Sequence, residues 1–150
     1  MDPNTLSVIQ GAAGAAGGDD PVYVEDVFST YLYEGNSSSG SSGAEQDIPN
    51  GIDIDGEGGM VWIKSRDEGT STSHSHFLYD SERSDLKSIN TNDTWTVGVN
   101  NDSLKEWNSG GGFKIGDNTD INMDGDDFVS WAFRKAPGFF DVVTYEGTGS

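Results

Sequence analysis

The chain predicts an all-β fold, an antiparallel β-sandwich of jelly-roll type preceded by an extended N-terminal arm. Three observations predict it. β-prone residues recur in short runs bounded by Gly, Asn, Asp and Ser. No stretch keeps the 3.6-residue period of a long helix. Four Trp, five Tyr and seven Phe accompany only 33% hydrophobic residues and 21 glycines, a mixture that suits an aromatic core beneath turn-rich polar loops. At 150 residues the chain suffices for one domain with one core. The division predicted is an arm over residues 1–20 and a sandwich domain over 21–150, the latter the N-terminal part of a longer chain.

In the first zone, after Met1, Leu6, Val8 and Ile9 are the large apolar side chains before "GAAGAAGGDD" at residues 11–20. Alanine favours helix, but glycines at 11, 14, 17 and 18 undo that preference. The stretch reads either as a disordered tail or as an extended arm that docks on a partner through Leu6, Val8 and Ile9. Next comes "PVYVEDVFSTYLYEG", where Val22, Val24, Phe28 and the run Tyr31-Leu32-Tyr33 predict one or two strands. "NSSSGSSGAEQ", residues 36–46, is a flexible loop by composition.

From Ile48 onward strand follows strand. Met60 to Lys64 alternates, with Val61 and Ile63 on one face and Met60, Trp62 and Lys64 on the other. Further strands are expected around His76 to Tyr79, Leu86 to Asn90 and Thr94 to Val99. Ser103 to Trp107 reads as a strand or one helical turn, and Phe113 and Ile115 share a face. In "DFVSWAFRK" the mixed set Phe128, Ser130, Ala132 and Arg134 alternates with the more apolar Val129, Trp131, Phe133 and Lys135. The second set is expected to face the core. "FFDVVTYEG" is expected to be the last strand, buried on both sides or bridging to a further segment.

The formal net charge is −18, and no lysine or arginine occurs before Lys64. Such a surface repels phosphate backbones, so no nucleic-acid partner is expected. Anionic membrane surfaces are disfavoured for the same reason, and no apolar run approaches the roughly 20 residues of a spanning helix. With no cysteine, disulfide frameworks and thiolate chemistry are excluded.

Few motifs carry chemistry. Asp120, Asn122 and Asp124 followed by Gly125 match the first half of a calcium loop. The match fails at its twelfth position, where Trp131 replaces a bidentate glutamate; a polar Asp-Gly hairpin loop accounts for the same residues. Apart from possible Ca²⁺ there, no cofactor is expected. His74 and His76 alternate on one face without a third ligand in sight. Trp95 and Trp107 stand in a polar, Asn- and Asp-rich stretch. They read either as stacking platforms for a surface glycan or as core residues of a small sandwich. No nucleophile elbow, zinc-protease motif or phosphate loop is present, so the chain is not expected to be an enzyme. A glycosidase with unrecognised carboxylates is the one catalytic class left open.

"GGMVWIKSRD", "GGFKIGD" and "WAFRKAPGFFDVVTY" together carry a resemblance. The chain, from about Tyr23 to Ser150, resembles a domain family of virion and tail-associated proteins of marine bacteriophages, including those of cyanobacteria. The resemblance implies a concanavalin-A-like jelly roll. It also implies a structural role in a tail fibre or spike that serves host attachment in the virion, assembled in the bacterial cytoplasm. The implied partners are other tail proteins of adaptor or nozzle type and further copies of the chain in a homotrimer. Recognition of glycan by a lectin-like module, as phage receptor binder or bacterial adhesin, is the alternative.

Overall fold

The computed structural model describes residues 22–38, 43–67, 75–83, 86–92 and 102–149. The arm with Leu6, Val8 and Ile9, the strand expected at Thr94 to Val99, Trp95 and His74 lie outside the described residues.

The fold is all-β, built from two antiparallel sheets. The larger sheet has five strands: β1 (Phe28–Glu34), β8 (Asp127–Arg134), β3 (Gly59–Ser65), β4 (Phe77–Asp80) and β5 (Ser88–Asn90), in that spatial order. The smaller has three: β2 (Gln46–Ile48), β7 (Phe113–Ile115) and β6 (Leu104–Trp107). Three single-turn helices intervene: α1 (Val24–Val27), α2 (Ile54–Glu57) and α3 (Thr119–Asn122).

One buried cluster joins the sheets. Tyr33, Val61, Ile63, Phe77, Tyr79, Phe128 and Ala132 come from the larger, and Ile48, Leu104, Phe113 and Ile115 from the smaller. Apolar residues at every second position of β3 turn to this core, as the period-2 pattern requires. The core is finished by loop residues. Ile52 and Ile54 plug it from the segment around α2, whose first turn is capped by Asp53 accepting from Gly56 N at 2.8 Å. Ile121 of α3 fills it from another side, and its carbonyl accepts the Tyr33 hydroxyl at 2.8 Å.

Four expectations need correction. In β8 the mixed set faces the core: Phe128, Ser130 and Ala132 are fully buried, while Trp131 and Phe133 lie half-buried on the opposite face. The central position of β8 explains the reversal. Its inner neighbours in register are the large Tyr31 and Ile63 beside Ser130 and Val61 beside Ala132, so small residues fill the remaining space at native density. Val24 belongs to the α1 turn instead of a strand, where Asp26 accepts from Tyr23 N at 2.9 Å. "FFDVVTYEG" is not a strand. After a Pro137-Gly138 turn closed by Ala136 N donating to Phe140 O (3.0 Å), residues 141–149 join no β-ladder. Val143 and Tyr145 are 77% and 90% exposed. Finally, the Asp120 loop is no hairpin. It forms α3 and then pairs in parallel with the chain leaving β1 through the bridges Gly35 to Asp124 and Ser37 to Met123.

Candidate functional site

Two surfaces concentrate chemistry. The first is a recess on the smaller sheet. Asp47, Lys114 and Glu106 stand side by side across β2, β7 and β6. Lys114 Nζ donates to Glu106 Oε1 at 2.7 Å. That bond raises the lysine pKa above its ordinary value, and attraction to Glu106 and Asp47 adds to the effect. Asn108 Nδ2 donates to Asp47 Oδ1 at 3.1 Å. These groups, with Asp55, Ser109 and Trp107, line a depression of about 370 Å³. Trp107 packs half-buried against the core and also lines the recess. The tight β6–β7 connection that forms the rim depends on glycine. A Cβ on Gly112, at φ +105°, would lie 2.4 Å from the Ile48 carbonyl oxygen.

The second surface is the outer face of the larger sheet. Register places Thr30, Trp131, Trp62, Leu78 and Ile89 in one row across all five strands. Phe28, Phe133 and Met60 form the next row. Trp62 and Trp131 have ring centroids 5.3 Å apart, Phe28 and Phe133 5.0 Å, and Phe133 and Phe140 5.3 Å, distances at which tilted rings attract. Leu32 is 56% and Ile89 38% exposed. His76, two residues before Leu78, lies against Trp62, its Nδ1 accepting from Trp62 Nε1 at 3.1 Å. Burial, with Lys64 nearby, lowers the His76 pKa. Beside this face, Met60, Leu78 and Ile89 form a groove of about 540 Å³ together with Phe140 and Val142 to Tyr145. Lys135 pins the entry of that segment, bridging Glu82 at 2.7 Å and Asp141 at 3.3 Å.

The calcium-like residues are placed differently. Asp120 and Asp124 are exposed. Asn122 is buried, with Nδ2 donating to Gly116 O (2.8 Å) and Asn36 Oδ1 (2.9 Å) and Oδ1 accepting from Asn36 N (3.0 Å). Its amide is thus committed to tying α3 to the segment after β1. Among the described residues no three or more His, Cys, Asp or Glu side chains cluster as metal ligands, and no helix is long and apolar enough to cross a membrane. Sequence reasoning overlooked Asp47, Glu106 and Lys114 because register alone brings them together. The outer aromatic rows had a visible signal, the Trp62 and Trp131 positions in alternating strands, but were assigned to the wrong face in β8.

A family described as a domain of unknown function (DUF7483) matches residues 24–150. The chain belongs to the DUF7483 family. The DUF7483 match takes in both sheets, the recess, the aromatic face and the segment after Phe140. No curated protein and no solved structure matches the chain.

Proposed function

We propose that this DUF7483 domain is a structural module of a tailed-phage virion, the tail-attachment part of a fibre or spike that serves host attachment. In this reading the two sheets form a concanavalin-A-like jelly roll, residues 1–20 are an extended arm that docks on tail proteins through Leu6, Val8 and Ile9, and the working unit is a homotrimer. The motif resemblance at Gly58 to Lys64, Gly112 to Gly116 and Trp131 to Tyr145 supports the phage setting. The observation that carries an assembly role is the outer face of the larger sheet. A two-sheet body needs one apolar face per sheet to make its core. This sheet has two, and the second holds Trp62, Trp131, Leu32, Ile89 and the Phe28–Phe133 pair. Contiguous apolar surface left in part exposed is of the kind that marks interaction sites.

The test is the mass of the chain in solution and its fate in the particle. Sedimentation should give an oligomer, Trp131→Glu should dissociate it, and deletion of residues 1–18 should abolish incorporation into virions while leaving the domain folded. A monomer up to high concentration, together with normal incorporation of the truncated chain, rejects the reading.

A second reading, a lectin-like carbohydrate-binding module, is favoured by the Trp107 recess. An aromatic edge beside Asp47, Glu106, Asn108 and Lys114 offers stacking and a mixed set of donors and acceptors. A glycan array separates the two readings. Binding that disappears in Asn108→Ala and Glu106→Gln, both on folded protein, supports it; an array without signal removes it.

A further inference from the structure

Strand β1 is the edge of the larger sheet. It pairs with β8 in unbroken register from Phe28–Phe133 to Glu34–Asp127 and has no ladder partner on its other side among the described residues. Edge strands are usually protected by lysine, proline, a bulge or shortness. β1 has none of these: it runs seven residues, Phe-Ser-Thr-Tyr-Leu-Tyr-Glu, with its one charge at the last position. Among the described residues, Gln46 covers the far end, its Nε2 donating to Glu34 O at 3.1 Å. The same chain carries a strand-like segment outside any ladder. Val142 to Tyr145, Val-Val-Thr-Tyr, consists of strand-prone β-branched and aromatic residues, with Val143 and Tyr145 largely exposed.

We propose that Val142 to Tyr145 of one copy adds as a strand to the β1 edge of a second copy. This rests on the assembly reading above and adds a main-chain contact beside the outer face. Two features favour a second copy over the segment's own domain. The segment borders a groove with Met60, Leu78 and Ile89, on β3, β4 and β5. Those strands are two to four positions from β1 in the sheet, so at about 4.8 Å per strand the edge is roughly 10–20 Å away. Charge is the other. Copies carrying −18 each repel, yet Phe28 to Tyr33 and Val142 to Tyr145 contain no charged side chain. Main-chain hydrogen bonds can form there without opposing carboxylates, in the manner of strand addition to an open edge. Donor and acceptor are different surfaces, so the contact is head-to-tail and closes into a ring where the rotation permits.

The absence of native cysteine allows a direct test on the whole chain. Leu32→Cys chains are mixed with Val143→Cys or, to cover both side-chain phases, Thr144→Cys chains, and mildly oxidised. The proposal expects a mixed disulfide in excess of like-with-like products. It expects Leu32→Lys and Tyr145→Lys each to weaken association by about tenfold or more, and added salt to strengthen association of the parent chain. Like-with-like disulfides alone, or none, overturn it. Sedimentation of the same samples separates the levels. An oligomer without the mixed disulfide overturns this pairing and leaves the assembly reading standing, whereas a monomer overturns the pairing and, together with normal incorporation of the chain lacking residues 1–18, the assembly reading as well.

Discussion

The two faces of β8 differ in a way that composition does not announce. On one face stand Phe128, Ser130 and Ala132, all fully buried; on the other stand Val129, Trp131 and Phe133, larger in sum but in part exposed. The core face is the one with the smaller side chains because its volume is shared with Ile63, Val61 and Tyr31 of the flanking strands and with the second sheet. Apolarity summed along one strand therefore identifies which face is greasy. It does not identify which face is inside once a strand is central and its neighbours supply the bulk.

Substitutions on the two faces test that contrast. The largest effect expected is Phe128→Ala, which removes a fully buried ring stacked 5.3 Å from Tyr33 and should cost about 3–5 kcal/mol in urea unfolding. Trp131→Ala should cost clearly less in the isolated domain; equal losses would mean that the outer face is as tightly covered as the inner one. Next comes Ala132→Leu, which forces extra volume into a site with no exposure and should destabilise by about 1–3 kcal/mol. The equivalent enlargement outside, Thr30→Leu, should be nearly neutral by the same assay.

A smaller difference separates two buried phenols. Burial pushes Tyr33 well above the ordinary tyrosine pKa, with Tyr79 nearby adding to it, and lifts Tyr79 to about 12. The Tyr33 hydroxyl donates to Ile121 O at 2.8 Å. That of Tyr79 lies near Ser103 and Ser88 without a well-formed bond. Tyr33→Phe should therefore lose about 1 kcal/mol, and Tyr79→Phe should be neutral or stabilising. Thermal midpoints of the two variants decide it.

The smallest effect belongs to the outer face and depends on pH. His76 has a lowered pKa in the folded chain, so the folded state holds its proton less tightly than the unfolded one. The stability linked to it is complete above the unfolded value of about 6.5 and declines as pH falls through that value toward the folded one. Protonation of Nδ1 also removes the acceptor for Trp62 Nε1. Tryptophan emission should change over the same interval, and His76→Gln should flatten both curves.

Much of the β content was legible because a strand that faces the core on one side writes a period of two into the sequence. Val61 and Ile63, and Phe113 and Ile115, turn inward together as their spacing predicts. β2 was missed because only Ile48 of Gln46-Asp47-Ile48 is apolar, so the strand reads as a continuation of the polar loop before it. Ile52 and Ile54 were missed because acidic and glycine neighbours give that loop the composition of a surface turn. The recess was only half legible. Trp107 drew attention as an aromatic in polar surroundings, whereas Asp47 and Lys114 are 67 residues apart and meet only because β2 pairs with β7. The calcium-like spacing of Asp120, Asn122 and Asp124 was real as a pattern, but Asn122 had a better use for its amide, satisfying buried backbone groups.

The sequence by itself determined an all-β chain with an aromatic core, a strongly acidic surface and no thiol chemistry, since propensity, charge and composition are properties of residues taken singly or in short windows. Tertiary structure alone decided which face of β8 is inside, that the Val142 to Tyr145 segment joins no ladder in its own domain, and that Asp47, Glu106 and Lys114 are neighbours. Each of these depends on which strands lie side by side, and strand order is set by packing between residues far apart in the chain, which no local pattern encodes.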